Sequence, residues 1–580
     1  MLSNYYYNSV KDKTWSLKNI EERKVNKLVQ DLQISDFLAR IICSRGIDID
    51  KVEGFLRPSL RENLPSPFSI TDMSIAVDRI YEAFRSKEKI AIFGDYDVDG
   101  ATSSAVLFKS FKQFGIEPII YIPDRQKEGY GPNKKAFQYL KDQGVKLVIT
   151  VDCGITAFNE LTFAKNINLD VIVVDHHMPE AKLPEAIAVV NPNRIDDPTG
   201  LGMLAAVGVS FMLIGALKSK LISIGFIKEK DSPNLSSILD LVALGTICDV
   251  VPLIGPNRAF VRHGLKIMSK RKNTGINALF QVSDIEDFPN VFHAGFILGP
   301  RINAGGRVGE PDLGAKLLTT DNEQYAKEIS IHLNLLNEER KKLESEVLVE
   351  AIKMADNYSK NDILILHGHN WHSGVIGIVA SRIVDQFNKP AIIISENGNE
   401  SKGSGRSVSG IDIGVMITAA KQSGILVNGG GHPMACGLTI KKEKINDLRI
   451  FLNNKINNQA KTIKKEYFVD MAVSVSGAIP SLIKQLSLIE PFGAGNPEPK
   501  FIIKDANLYN VKIVGEKHIK CSISDTSNHR LDAIAFRSVG TALGKSLLNK
   551  YQAHVIGRLK ISEWNGRESL QMLIEDVIEL

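Results

Sequence analysis

The sequence predicts an α/β protein: two α/β lobes joined by a long helix, followed by a small C-terminal β-barrel. Three observations carry this reading. From Lys89 onward, short apolar runs alternate with amphipathic ones, the pattern of βαβ units and a mostly parallel sheet. Residues 322–356 then form one amphipathic stretch without an internal Gly or Pro, a natural spacer between two lobes. From Tyr467 the pattern becomes mainly strands separated by polar turns.

The 580 residues correspond to roughly four domains at about 150 residues each. With 44% hydrophobic and 24% charged residues the chain has an ordinary globular mixture, which excludes wholesale disorder. Cys43, Cys153, Cys248, Cys436 and Cys521 are odd in number and contain no CxxC pair, which argues against a disulfide scaffold or zinc ribbon and fits a reducing cytoplasm. The start, MLSNYYYNSVKDKTW, lacks the basic-then-apolar pattern of a signal peptide. Residues 199–217 are uncharged, but they hold four glycines and become densely apolar only at Met203. That falls short of the ~20 residues of a spanning helix and predicts a buried core helix, with no membrane partner. Net charge is +5, yet residues 441–580 carry +6, so the positive charge sits at the C-terminal end and hints at a polyanionic partner.

In chain order, residues 1–85 read as short helices broken by RPSL and PSP, a capping segment. The first lobe, 86–285, has strands in KIAIFGD, PIIYIP, KLVITVD and DVIVVD, with helices from Thr102, near Lys134 and near Phe158, and turns mostly helical from Met203. The connector, 286–360, includes the long helix, with Ile329, Leu333, Leu336, Leu343, Val347, Ala351 and Met354 on one stripe and Glu338–Lys342 as an i,i+4 pair. The second lobe, 361–462, follows with DILILH, a helix from Val375, AIIIS, a Gly/Ser turn at SKGSGRS and a glycine cluster at NGGGH. Residues 463–580, with FIIKDANLYNVKIV, HIKCSIS, RLDAIAF and AHVIGRLKIS, fit a barrel of OB type.

The sharpest chemistry lies in GDYDVDG, where Asp95, Asp97 and Asp99 follow directly on an apolar strand. Three like charges within five residues repel unless a cation neutralises them, although Asp also serves turns and helix N-caps. Asp152 ends the strand in KLVITVDCG, and Asp175, His176 and His177 end another in DVIVVDHH. Parallel strands bring such ends to one sheet edge. Asp249 follows an uncharged run in ALGTICDVVP and needs a partner if buried. Five or six carboxylates plus an imidazole suit Mn2+ or Mg2+, with ligands enough for two ions, the machinery of phosphoester hydrolysis. Cys153 and Cys248 beside these acids read as small buried fillers.

GDYDVDG, VDCG, VVDHH and ICDVVP, in this order, resemble the motifs of the DHH phosphoesterase superfamily. IPDRQKEGYG, GPRINAGGR, WHSGVIGIVASR, SGRS, NGGGHPMACG and EPFGAGNPEP together resemble the bacterial RecJ-type single-strand exonucleases, over about residues 89–499. Cys436 stands where that family commonly has alanine. The resemblance implies a DHH-type lobe, a DHHA1-type lobe, and metal ligation by Asp95, Asp97, Asp99, Asp152, His176 and Asp249, with Asp175 and His177 supporting. It also implies metal-dependent 5′ to 3′ hydrolysis of single-stranded DNA to mononucleotides, in DNA repair and recombination. The expected protein is a cytoplasmic monomer, with a single-strand-binding protein and a helicase as candidate partners.

Substrate-holding groups complete the expectation. SKGSGRS offers backbone N–H groups, Ser404, Ser407 and the Arg406 guanidinium to a phosphate, or is a hairpin turn with a solvated arginine. By similarity, Gly430 and Gly431 in NGGGH allow close backbone approach and leave His432 to meet the reacting phosphate. Arg125 holds a terminal 5′ phosphate, and Tyr130 stacks on a base or packs. GPRINAGGR places Arg301, Asn303 and Arg307 around an expected flexible turn for gripping backbone, while His372 reads as a helix cap. Two other functions compete: a DHH hydrolase of oligoribonucleotides, cyclic dinucleotides or pyrophosphate, against which the barrel weighs, and a silent DNA-binding scaffold, against which the complete set of acids weighs.

Overall fold

A computed structural model describes residues 7–125, 127–358, 360–457, 466–525, 529–564 and 567–580. The tract 458–465, where the sequence reading passes from second lobe to barrel, lies outside the described residues. The chain divides into two compact units. One comprises Ser66–Asp249 and Gly264–Ile463, and the other Met1–Pro65, Val250–His263 and Lys464–Leu580.

In the first unit, strands Lys89–Gly94, Ile119–Tyr121, Val145–Val151, Asp170–Val174 and Ala188–Val190 form one parallel sheet. Lys89–Gly94 lies between Ile119–Tyr121 and Val145–Val151. The chain therefore steps to one side after its first strand and to the other side for its third. That reversal is a topological switch point, and the crevice beyond the carboxyl ends of those strands is where open α/β sheets hold ligands. The strands are nearly continuous apolar runs because helices cover both faces. On one face Phe137, Leu140, Leu161 and Ala164 of helices Lys134–Asp142 and Phe158–Asn166 pack on Phe93, Val148 and Val171. Helices Met73–Arg85, Val98–Gln113 and Ala206–Ser223 cover the other. Ala206–Ser223, apolar and long enough to cross a membrane by composition, is 67% buried here, the core helix expected from the sequence.

The spacer is one helix, Glu323–Asn357, about 50 Å long at 1.5 Å per residue, capped by the Asn322 side chain. Most of the predicted stripe is buried, but a polar pair interrupts it, Arg340 and Glu344, 2.6 Å apart. Glu338 pairs with Lys341 at 2.7 Å, one residue short of the expected Lys342. The segment GPRINAGGR, expected as a flexible turn, is the helix Gly299–Val308, preceded by a π-helical turn, His293–Leu298. Its glycines serve close packing, since a Cβ on Gly306 would collide with the Tyr96 ring.

The second sheet is mixed: Leu364–His369 and Ala391–Glu396 run parallel, then Glu400–Arg406, Ala435–Lys441 and Asn428–His432 add antiparallel. SKGSGRS is thus a central strand and NGGGH an edge strand, where turns were expected. Side chains at Gly403 and Gly405 would meet Leu438, and Cys436 and Ile413, so glycine leaves room for the side chains of the adjacent strand and, at Gly405, of helix Ile413–Gln422.

In the other unit, strands Phe501–Val514, His518–Ser524, Arg530–Ala535, Gln552–Trp564 and Arg567–Glu579 close into a five-stranded barrel, with Met471–Ala472 alongside. Helix Ala542–Asn549 inserts Leu543 and Leu547 into its core. The expected capping segment ends earlier than residue 85. Val25, Leu28, Phe37 and Ile41 bury themselves in that same core, and strand Thr14–Leu17 pairs with Glu466–Val469. Residues from Ser66 onward belong with the first sheet.

Candidate metal and phosphate site

The acids gather where the first sheet reverses its order. Asp95 follows Lys89–Gly94, Asp152 follows Val145–Val151, and Asp175 and His176 follow Asp170–Val174, all at carboxyl ends. Gly100 lets the next helix approach, since a Cβ there would strike the Asp95 backbone. Asp97 caps that helix, accepting from Gly100 N–H at 3.0 Å. Asp99 reaches further: its two oxygens accept from Ala206 N–H at 2.7 Å and Val207 N–H at 2.8 Å, at the N-terminus of the apolar helix. The ordinary N-cap role of aspartate is therefore real for Asp97, while Asp99, inside the first turn of the same helix, satisfies the N-terminus of another.

Three overlapping ligand groups result: Asp95, Asp97 and Asp152; Asp152, His176 and His177; and Asp99, His176 and Asp249, with ligand atoms within 4.8 Å inside each group. Asp152 and His176 are each shared by two of them. His176 Nε2 lies 3.4 Å from Asp152, 3.6 Å from Asp249 and 3.9 Å from Asp99. Asp152 adopts left-handed backbone, φ 61°, a conformation Asp tolerates and one concentrated at functional sites.

Burial together with like-charged neighbours pushes the carboxyls upward: Asp95 to about 8, Asp99 to about 7, Asp249 to about 9, and Asp152 well above the usual range. Burial and the adjacent His177 lower His176 to about 4, so its imidazole is neutral, and its ring hydrogen-bonds the Leu204 backbone. Burial opposes charge on His177 too, but the hydrogen bond from its Nδ1 to Asp175, 2.7 Å, and the charge of that carboxylate raise it to about 9. Asp175 is fully committed to support, accepting also from the N–H groups of Ile155, His176 and His177.

A divalent cation fits this donor set. Asp95 Oδ1, His176 Nε2 and Asp249 Oδ2 are buried and have no hydrogen-bond partner, which is costly unless something binds them. Four acids that resist ionising together, with a neutral imidazole, form a hard oxygen-rich site. Burial also raises the Cys153 and Cys248 thiols, which pack as fillers.

Arginines stand beside the acids. Arg125 hydrogen-bonds the Tyr96 hydroxyl and lies 5.2 Å over that ring, and its charge acts on Asp95. Arg307 donates to the Gly374 carbonyl at 3.0 Å, within electrostatic reach of Arg125, Tyr96 and Asp97. Arg406 donates to the Gly405 carbonyl and to Ser404, and senses Arg125. Three predicted phosphate-gripping groups therefore come together from two lobes of one compact unit. Tyr130, a half-exposed residue, donates its buried hydroxyl to the Asp152 carbonyl at 3.1 Å, its ring edge-on to His177.

Other expected residues stand apart. Arg301 donates to the Ile297 carbonyl and Asn334, and Asn303 keeps a buried oxygen without a partner. Ser407 donates inward to the Ile411 carbonyl. Among the described residues, no hydrogen bond or ion pair joins His432, Gly430 or Gly431 to the acids. His432 is exposed and accepts from Met434 N–H at 3.4 Å, while a Cβ on Gly431 would strike Ala435. His372 accepts from Gly374 N–H at 3.1 Å in the turn before helix Ile376–Phe387, which has no side-chain cap, so it does not form the cap expected of it. Sequence reasoning missed Asn191 and Asn193, whose amides hold the His177 and His176 carbonyls at 2.8 and 2.5 Å. Their signal was present in NPN, directly after the strand AVV.

Comparison with known proteins follows this division. The DHH family, N-terminal domain, matches residues 89–246; the DHHA1 domain matches 346–458; and the RecJ OB domain matches 469–576. The single-stranded-DNA-specific exonuclease RecJ of Bacillus subtilis is 35% identical, over 97% of this chain and 70% of its own. That of Escherichia coli is 32% identical, over 94% of this chain and 96% of its own. The crystal structure of RecJ in complex with Mn2+ from Thermus thermophilus superposes with a TM-score of 0.83 at 26% identity, covering 97% of this chain and 79% of that one. A Mg2+ complex from the same organism shares the fold, with a TM-score of 0.77.

Proposed function

Because this chain belongs to the RecJ family, we propose that it is a metal-dependent exonuclease that degrades single-stranded DNA from the 5′ end to 5′-mononucleotides. The observation that carries this reading is the set of buried, partnerless ligand atoms on Asp95, His176 and Asp249 beside the convergent guanidiniums of Arg125, Arg307 and Arg406. Such a site couples a divalent cation to a terminal phosphate.

In this reading Asp95, Asp97, Asp99, Asp152, His176 and Asp249 hold two ions of Mn2+ or Mg2+. Bound there, the cations supply an acidified water and neutralise phosphoryl charge. The chain's own residues do the rest. Asp175 fixes His177 as an imidazolium, and the half-exposed ring meets a phosphate oxygen. Arg125 and Arg406 grip the 5′ phosphate, Arg307 the backbone beside it, and the exposed face of Tyr130 supports a base. Arg301, Asn303, Ser404 and the NGGGH strand with His432 line the onward path of the strand. The barrel and the +6 charge of residues 441–580 hold the strand without reading its sequence. Action as a cytoplasmic monomer, with a single-strand-binding protein and a helicase presenting the strand, belongs to the same reading. The five free thiols agree with a reducing compartment.

Release of mononucleotides from 5′-labelled and 3′-labelled strands, with and without Mn2+, tests it. Early release of the 5′ label from single strands only, and only with metal, is expected. Early release of the 3′ label, or turnover in EDTA, refutes it.

A further inference from the structure

Phe292 and Phe296 are 60% and 71% exposed, and their rings stack on each other with centroids 5.5 Å apart and planes 20° apart. Single exposed apolar side chains are common, but a stacked aromatic pair held in water is the unusual case. Phe296 sits on the π-helical turn His293–Leu298, a local form concentrated at functional sites, and Phe292 immediately precedes it. That turn runs into helix Gly299–Val308, which lies along the metal site. Gly299 packs against Cys248, the neighbour of Asp249, so tightly that a Cβ would lie 2.5 Å from Sγ. Further along, Gly306 packs on Tyr96, and Arg307 stands among Tyr96, Arg125 and Asp97. At 1.5 Å per residue, Phe296 is about 5 Å along the axis from Gly299 and about 16 Å from Arg307.

We propose that Phe292 and Phe296 are a base-stacking platform that receives nucleobases of the single strand a few nucleotides from the reacting phosphate. The proposal rests on the exonuclease reading and adds a site to it. One helix then carries a phosphate grip at one end and aromatic faces at the other, continuous through Gly299 with the metal centre. Bases are the occupant that suits this continuity, because every base has a flat face and the stacked rings accept any of them.

The test places 2-aminopurine at one position at a time in a single strand and binds it to the full chain in EDTA. Stacking quenches its fluorescence. Quenching is expected at one or two internal positions, and should be lost there, and only there, in both F292A/F296A and F292L/F296L. Binding should weaken about 5- to 150-fold, the range for a lost base-stacking contact. Leucine keeps apolar area without a flat face, so full retention of quenching or affinity by F292L/F296L overturns stacking in favour of a general apolar contact. Unchanged quenching in both variants, with tight binding, overturns the platform alone. Failure of the unaltered chain to bind single strands overturns the exonuclease reading with it. A cooperative melt unchanged between variants excludes misfolding, and a fall in melting temperature with no change in quenching assigns the rings to packing and refutes the proposal.

Discussion

Asp249→Asn separates the catalytic from the structural consequences of the acid cluster. Asp249 follows helix Leu239–Cys248 as its C-cap, where the helix dipole also disfavours negative charge, and its side chain is only 23% exposed. Asparagine keeps the size and cap geometry but loses the charge. Burial, then Asp99 and Asp97, raise this carboxyl to about 9, against about 4 when unfolded. Below pH 4 both states are protonated and the wild type carries no penalty. Between pH 4 and 9 the unfolded chain releases a proton that the folded chain retains, so metal-free wild type loses stability as pH rises. At pH 7 the limit is three pH units, about 4 kcal/mol, and because neighbouring acids share protons about 1–2 kcal/mol is expected. The metal-free variant should therefore melt about 1–3 degrees higher than wild type at pH 7–8 and equally at pH 4. Loss of a ligand worth several kcal/mol of charge stabilisation should nevertheless lower mononucleotide release by about 10³-fold in saturating Mn2+. Near-normal turnover, or a melting temperature lowered equally at every pH, would sink the assignment.

Other outcomes follow from the same geometry. Arg125→Ala and Arg406→Ala should each slow digestion of 5′-phosphorylated strands about 10- to 100-fold, the loss of one charge-assisted contact, and of 5′-hydroxyl strands far less. Equal slowing on both would point to general backbone contacts. Mn2+ affinity should rise with pH from 6 to 9, with more than one proton released per chain, because binding discharges the raised acids. Calorimetry in two buffers of different ionisation enthalpy reads the protons directly, and a pH-independent affinity would contradict the raised values. Gly306→Ala drives a methyl into the buried Tyr96 ring, so it should cost about 1–3 kcal/mol and erase the preference for a 5′ phosphate by displacing Arg125. Retained preference with full stability would mean that Tyr96 does not position that arginine.

The first lobe and its acids were legible because each strand is a continuous apolar run that ends abruptly in charge, and parallel topology carries such ends to one edge. Ala206–Ser223 was legible from its glycines and limited apolar length. Glycine misled elsewhere. SKGSGRS and NGGGH read as turns by propensity, yet Gly403, Gly405 and Gly431 sit in strands because neighbouring backbone and side chains leave no room for a Cβ. The helix in GPRINAGGR was hidden the same way, its glycines answering to Tyr96 and Cys248, residues far away in sequence. The partnership of Val25, Leu28 and Phe37 with the barrel core was equally hidden, since nothing local to residues 22–44 specifies what their apolar faces meet.

Placing three guanidiniums beside five aspartates invites them to pair, and pairing would lower the acids, occupy their oxygens and leave nothing for a cation or a phosphate. Among the described residues no ion pair joins Arg125, Arg307 or Arg406 to Asp95, Asp97, Asp99, Asp152 or Asp249. Each arginine is instead tethered by a neutral acceptor: the Tyr96 hydroxyl, the Gly374 carbonyl, and the Gly405 carbonyl with Ser404. A neutral acceptor fixes a guanidinium without discharging it, and several of its five donors remain free. The acids are fixed in the same manner, Asp97 by Gly100 N–H and Asp99 by Ala206 and Val207 N–H. Neutral tethering on both sides thus keeps the guanidiniums charged and leaves carboxylate oxygens free for a cation, whose binding discharges the raised acids, and a phosphodiester held by a divalent cation is the ligand whose own charges complete both.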